Sequence, residues 1–149
     1  MRNYKEVEKR IAALCEGEDD VIALMATIAA ELYHHFDGFD WVGFYRVTQP
    51  NLLKIGPYQG GHGCLTIPFD KGVCGAAARE ERVQLVDDVH SFDGHIACAA
   101  STMSEIVLPV FDKSQKLIAV LDIDSDKPAF FNQADSHALT QILTDSFAC

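Results

Sequence analysis

The hydrophobic period of this chain switches at Gly38. Before it, Val21, Leu24, Met25, Ile28, Leu32, Tyr33 and Phe36 recur at helical spacing and predict an amphipathic helix, with Asp19 or Asp20 to cap its start and Gly38 to end it. An earlier helix is predicted from Val7, Ile11 and Leu14, broken at Gly17. After Gly38 the residues become β-branched and aromatic. Trp41–Val47 reads as a strand, Gln49-Pro50-Asn51 as a turn, and Leu52–Ile55 as the strand that pairs back. Leu65–Pro68 and Val83–Val86 read as short strands, with a short helix over Gly72–Arg79 between them. Glu105–Phe111 and Lys116–Asp124 read as a hairpin across Asp112–Gln115, and Asn132 caps a last helix that buries Leu139, Ile142, Leu143 and Phe147. Helices at the two ends and hairpin-linked strands in the middle predict an α+β fold, an antiparallel sheet with helices against one face.

At 149 residues the chain is read as one domain, 1–149, long enough to bury a core without disulfides or metals. Its net charge of -10 argues against nucleic acid and against an anionic membrane surface. The charged opening segment is no signal peptide, and no apolar run reaches spanning length, so a cytoplasmic protein is expected. In a reducing compartment five cysteines are free thiols, metal ligands or redox centres, and the odd count excludes a fully paired framework.

Three thiols have a chemical context. Cys98 lies in a long segment without regular pattern, among the small residues of Gly94–Ser101, where a thiolate nucleophile has room for a ligand and consecutive backbone N–H groups can face an anion. Cys74 starts the short helix, whose N-terminus favours a thiolate. Cys64 sits in the glycine-rich GGHGC, able to swing to a second sulfur. Cys15 and Cys149 lack such a setting and read as incidental. Zinc is the competing use of thiols, but there is no CxxC pair. His90, His95 and Cys98 form only an irregular set, and His62 lies too close to Cys64, so no metal and no other cofactor is expected. Carboxylates complete the constellation. Asp122 and Asp124 share a face of their strand. With Glu105 they abut the two most apolar strands, where bare charge is unfavourable and one acid of a cluster keeps a proton to donate. Trp41 and Tyr45 share a strand face and can wall a pocket.

These residues stand in an ordered set of motifs. DWVGFY (Asp40–Tyr45), GPYQG (Gly56–Gly60), CLTIPFDKGVCG (Cys64–Gly75), DDVH (Asp87–His90), FDGHIAC (Phe92–Cys98), SEIVLP (Ser104–Pro109) and LDIDS (Leu121–Ser125) together resemble the free methionine-(R)-sulfoxide reductases, stand-alone GAF-domain enzymes. The resemblance covers nearly the whole chain. It implies a GAF-like sheet of about six strands with helices mainly on one face. It also implies reduction of free methionine-(R)-sulfoxide to methionine. Cys98 would attack the sulfoxide sulfur and become a sulfenic acid. Cys64 would be the main resolving thiol, Cys74 an alternative or relay, and thioredoxin the reductant. Glu105 would protonate or polarise the sulfoxide oxygen with Asp124 as its partner. Asp122 would meet the substrate ammonium, Trp41 and Tyr45 its methyl end, and backbone N–H groups near Ile96, Ala97 and Cys98 its carboxylate. A homodimer is implied by relatives. Ala99 departs from an acidic residue found in some relatives. The other readings are a GAF module that binds a small molecule without reacting, a thiol redox sensor, and a zinc protein.

Overall fold

The computed structural model describes residues 1–149. The first helix, α1 (Lys5–Leu14), buries Val7 and Ile11. Leu14 is exposed, contrary to its spacing, because the helix ends there and Cys15 packs on the core in its place. The second helix, α2 (Val21–His35), starts where the Asp20 side chain accepts a hydrogen bond from the Ala23 N–H, 3.0 Å away. It stops before Phe36, which leaves the helix to lie 4.7 Å from the Tyr4 ring and 4.8 Å from the Phe39 ring, centroid to centroid.

Six strands follow: β1 (Trp41–Gln49), β2 (Leu52–Gln59), β3 (Thr66–Pro68), β4 (Gln84–Val86), β5 (Ser104–Phe111) and β6 (Leu117–Ser125). They form one antiparallel sheet in the order β3-β2-β1-β6-β5-β4. β2 runs four residues beyond the expected Ile55. The register shift between Gly43 and Tyr45 sets Gly56 and Pro57 opposite Phe44, a bulge that tolerates the missing proline N–H.

Strand alternation divides the interior in two. One sheet face presents Val42, Phe44, Ile106, Leu108, Leu121 and Ile123 to α1, α2 and the last helix, α4 (Gln133–Leu143). The other presents Tyr45, Leu53, Val107 and Val120 to α3 (Gly72–Glu80) through Val73, Ala77 and Ala78. Three of the four helices therefore lie on one face, as expected. Asn132 caps α4 in a reciprocal pair with Asp135, and the buried Asp135 also accepts from Arg2 and from the Tyr4 hydroxyl, each at 2.7 Å. The segment between β4 and β5 holds one short 3-10 turn, Val89–Ser91. It is tied down by backbone bonds from Val89 to Met103 and from Gly72 to Gly94. Gly72 has a φ of +67°, a left-handed conformation that glycine adopts without steric cost, and its N–H reaches Gly94 from there.

Candidate active site

The β5–β6 register sets Glu105 directly opposite Asp124, and Val107 opposite Asp122, so the three carboxyls share the sheet face covered by α3. Glu105 and Asp122 are buried and Asp124 is half-buried, rather than solvated as strand-end charges usually are. From the first turn of α3 the Cys74 thiol reaches the same spot. Its Sγ and one carboxylate oxygen each from Glu105 and Asp122 lie within 4.8 Å of one another. Desolvation and the neighbouring acids push all three carboxyls well above the usual carboxylate range. One oxygen of Asp122 and one of Asp124 are sealed from solvent without a hydrogen-bond partner. The same effects correct the expectation for Cys74. Burial first, then Asp122, Glu105 and Asp124, raise its thiol well above the ordinary value, and the helix N-terminus does not offset them.

Trp41 and Tyr45 wall the pocket as their shared face predicts. Their rings stack with centroids 5.8 Å apart, and the Trp41 Nε1–H donates to the Gly61 carbonyl at 3.0 Å. Tyr58 stacks on the outer side of Trp41 at 5.2 Å. Sequence reasoning missed Tyr58 because it ended β2 at Ile55. It also passed over Gly43, which pairs with Tyr58 across the strands. A Cβ at Gly43 would collide with the Trp41 ring and the Tyr58 Cβ, so this glycine makes room for the indole. A glycine inside the WVGFY strand pattern is the signal that marks such close approach.

Cys64 and Cys98 form a disulfide, with Cα atoms 5.3 Å apart and a sequence separation of 34. Cys98, Ile96 and Thr102 line the pocket opposite the aromatic wall, and Cys74, Glu105, Asp122 and Asp124 line its floor. With the disulfide closed the cavity is small, about 30 Å³. The Cys98 N–H donates to the Ile96 carbonyl at 3.1 Å, whereas the N–H groups of Ile96 and Ala97 have no partner within the chain. Ala97 is exposed and its side chain is not part of the lining, so its backbone N–H is what it offers a ligand. The histidine set considered for zinc is not assembled: the His90 ring pairs with Asp88 at 3.2 Å on the surface. His62 and His95 border the pocket, and burial lowers the pKa of His95.

A six-stranded antiparallel sheet with a pocket between it and a short helix has the architecture of a GAF domain, and residues 15–145 match the family model described as GAF domain. The solved relatives narrow this further. The chain is 42% identical over 140 residues to the free methionine-R-sulfoxide reductase of Escherichia coli, covering 94% of this chain and 84% of that protein. The reduced form of the Staphylococcus aureus enzyme superimposes with a TM-score of 0.93 at 44% identity, covering 99% of this chain and 94% of that one. The Neisseria meningitidis free methionine-R-sulfoxide reductase in complex with its substrate gives a TM-score of 0.89 at 39% identity, over 95% and 84% of the two chains. The chain belongs to the free methionine-R-sulfoxide reductase family of GAF-domain proteins.

Proposed function

We propose that this protein reduces free L-methionine-(R)-sulfoxide to L-methionine. The Cys98 sulfur attacks the sulfoxide sulfur, the oxygen passes to Cys98 as a sulfenic acid, and methionine departs. The Cys64 thiol then displaces that oxygen as water and forms the disulfide. A dithiol reductant, thioredoxin, accepts the disulfide by exchange and returns both thiols. The observation that carries this reading is the Cys64–Cys98 bond at the rim of a pocket floored by Glu105, Asp122 and Asp124. Sulfoxide oxygen leaves only when protonated, and carboxyls whose hold on the proton is strengthened by burial and neighbouring acids are suited to donate one.

Glu105 is the proton donor and Asp124, opposite it, its partner. Asp122 receives the substrate ammonium, and Trp41 and Tyr45 enclose the methyl end. The unpartnered N–H groups of Ile96 and Ala97 hold the carboxylate. Cys74 is a relay at most, since its buried neutral thiol is a poor nucleophile. A cavity of about 30 Å³ admits little more than water, so the disulfide form corresponds to the enzyme after turnover, and reduction must widen the pocket before substrate enters. The same reading makes the chain a single GAF domain over 1–149, working in the cytoplasm as a homodimer.

The test is one turnover of pre-reduced protein with free L-methionine-(R)-sulfoxide, followed by mass-spectrometric disulfide mapping. Stoichiometric methionine and a Cys64–Cys98 bond are expected, with both lost in Cys98→Ser. A Cys74–Cys98 bond would reverse the assignment of the resolving thiol, and an unchanged sulfoxide would remove the reductase reading altogether.

A further inference from the structure

The pocket floor is built like a metal site that the chain's linear spacing does not announce. Cys74 comes from α3, Glu105 from β5 and Asp122 from β6, so no two of the three are close in sequence, and spacing rules for zinc pass over them. Because their ligand atoms lie within 4.8 Å of one another, some point lies within roughly 2.8 Å of all three, against about 2.0–2.3 Å for bonded carboxylate and thiolate ligands. Closing that gap takes side-chain shifts of half an ångström or so. A second observation points the same way. Asp122, 5% exposed and part of the pocket lining, keeps one buried oxygen without a hydrogen-bond partner. The cavity of about 30 Å³ is of ionic rather than amino-acid size.

We propose that a thiophilic divalent cation such as Zn²⁺ or Cd²⁺ binds in this pocket through Cys74 Sγ and carboxylate oxygens of Glu105 and Asp122. One thiolate with two carboxylates is a donor set that zinc accepts, and the sulfur selects against magnesium and calcium. The half-buried Asp124, opposite Glu105, stands beside the three ligands. Binding displaces to solvent the Cys74 proton and any proton held by the two coordinating carboxyls, and leaves the Cys64–Cys98 bond untouched. The ion then covers the floor that the proposed sulfoxide reaction uses. This last consequence rests on the reductase reading, whereas the binding itself does not.

The test uses the full chain in its disulfide form carrying Cys15→Ser and Cys149→Ser. With Cys64 and Cys98 bonded, Cys74 is then the only thiol. Cd²⁺ is titrated in while its thiolate charge-transfer absorption is followed in the ultraviolet, with the stoichiometry read by calorimetry. One equivalent and a thiolate band are expected, the band lost in Cys74→Ala and the affinity weakened at least tenfold in Asp122→Asn. Asp122→Asn preserves side-chain volume and serves if Cys74→Ala does not fold. No band, or binding unchanged by either substitution, overturns the proposal. In a second arm, Zn²⁺ should raise the KM of reduced enzyme for the sulfoxide while leaving kcat unaltered. Absence of turnover in the metal-free protein would refute the reductase reading and leave the Cd²⁺ result standing.

Discussion

Glu105→Gln should cost activity and add stability, and the added stability should grow with pH. Glu105 sits opposite Asp124 and diagonal to Asp122, and its carboxyl is pushed well above the usual range by burial first and the Asp122 charge second. The folded protein therefore keeps a proton that the unfolded chain, with a carboxyl pKa near 4.3, has already released. With the folded pKa raised, stability is fully present below the unfolded pKa and is lost as pH rises toward the folded value. A proton retained on folding changes stability by at most about 1.4 kcal/mol per pH unit, so the native protein should lose ground to the glutamine variant as pH rises from about 5.5 to about 7.5. For a chain of this size each kcal/mol of that difference moves the Tm by roughly 2 to 4 °C. The amide keeps the shape of the carboxyl and can donate to Asp122 or Asp124, but it cannot supply a proton to departing oxygen. Turnover should fall by about a hundredfold or more, the usual contribution of a general acid. The assay is urea unfolding of both disulfide-form proteins at the two pH values, with methionine formation measured on the reduced proteins. Parallel stability curves would refute the claim that Glu105 holds its proton, and full turnover would remove it from the chemistry.

Reduction of the Cys64–Cys98 bond opens a covalent loop set by a separation of 34 residues, so chain entropy predicts a loss of about 4 kcal/mol. Urea unfolding with and without a phosphine reductant reads this directly, and coincident curves would contradict it. Gly43→Ala should push the Trp41 ring off its seat against Tyr58, at a cost of about 1–3 kcal/mol. Because Trp41 is the single tryptophan, its fluorescence should report the displacement, and an unshifted spectrum would show that the ring is seated some other way. In the disulfide form a maleimide should label exposed Cys149 first and half-buried Cys15 more slowly. Buried Cys74 should react only on unfolding, so labelling of native protein at Cys74 as fast as at Cys15 would contradict its burial and raised pKa.

What the chain discloses by itself is mainly local. The period change at Gly38, the alternation that puts Asp122 and Asp124 on one face, and the Asn132 cap all follow from residues a few positions apart, and the structure keeps each of them. What it withholds is pairing. Nothing near Glu105 states that Asp124 stands opposite it, since that depends on how two strands align over the Asp112–Gln115 turn. The raised thiol of Cys74 is hidden for the same reason. A helix-terminus argument sees only α3, whereas the thiol's environment is set by two strands from the far end of the chain. Tyr58 lies past the expected strand end at Ile55, because the bulge opposite Phe44 that carries β2 on through Gly56 and Pro57 is a matter of pairing.

The disulfide has a consequence at the sheet margins. The strand order makes β3 and β4 the two outer strands, and each is three residues long. Both lie between Cys64 and Cys98, so one sulfur–sulfur bond closes a ring that carries the two margins together. Short outer strands give a neighbouring molecule little backbone to pair with, provided they stay in place over β2 and β5. Opening the ring removes the covalent tie between the two margins and leaves each held by its backbone pairing alone, β3 to β2 and β4 to β5.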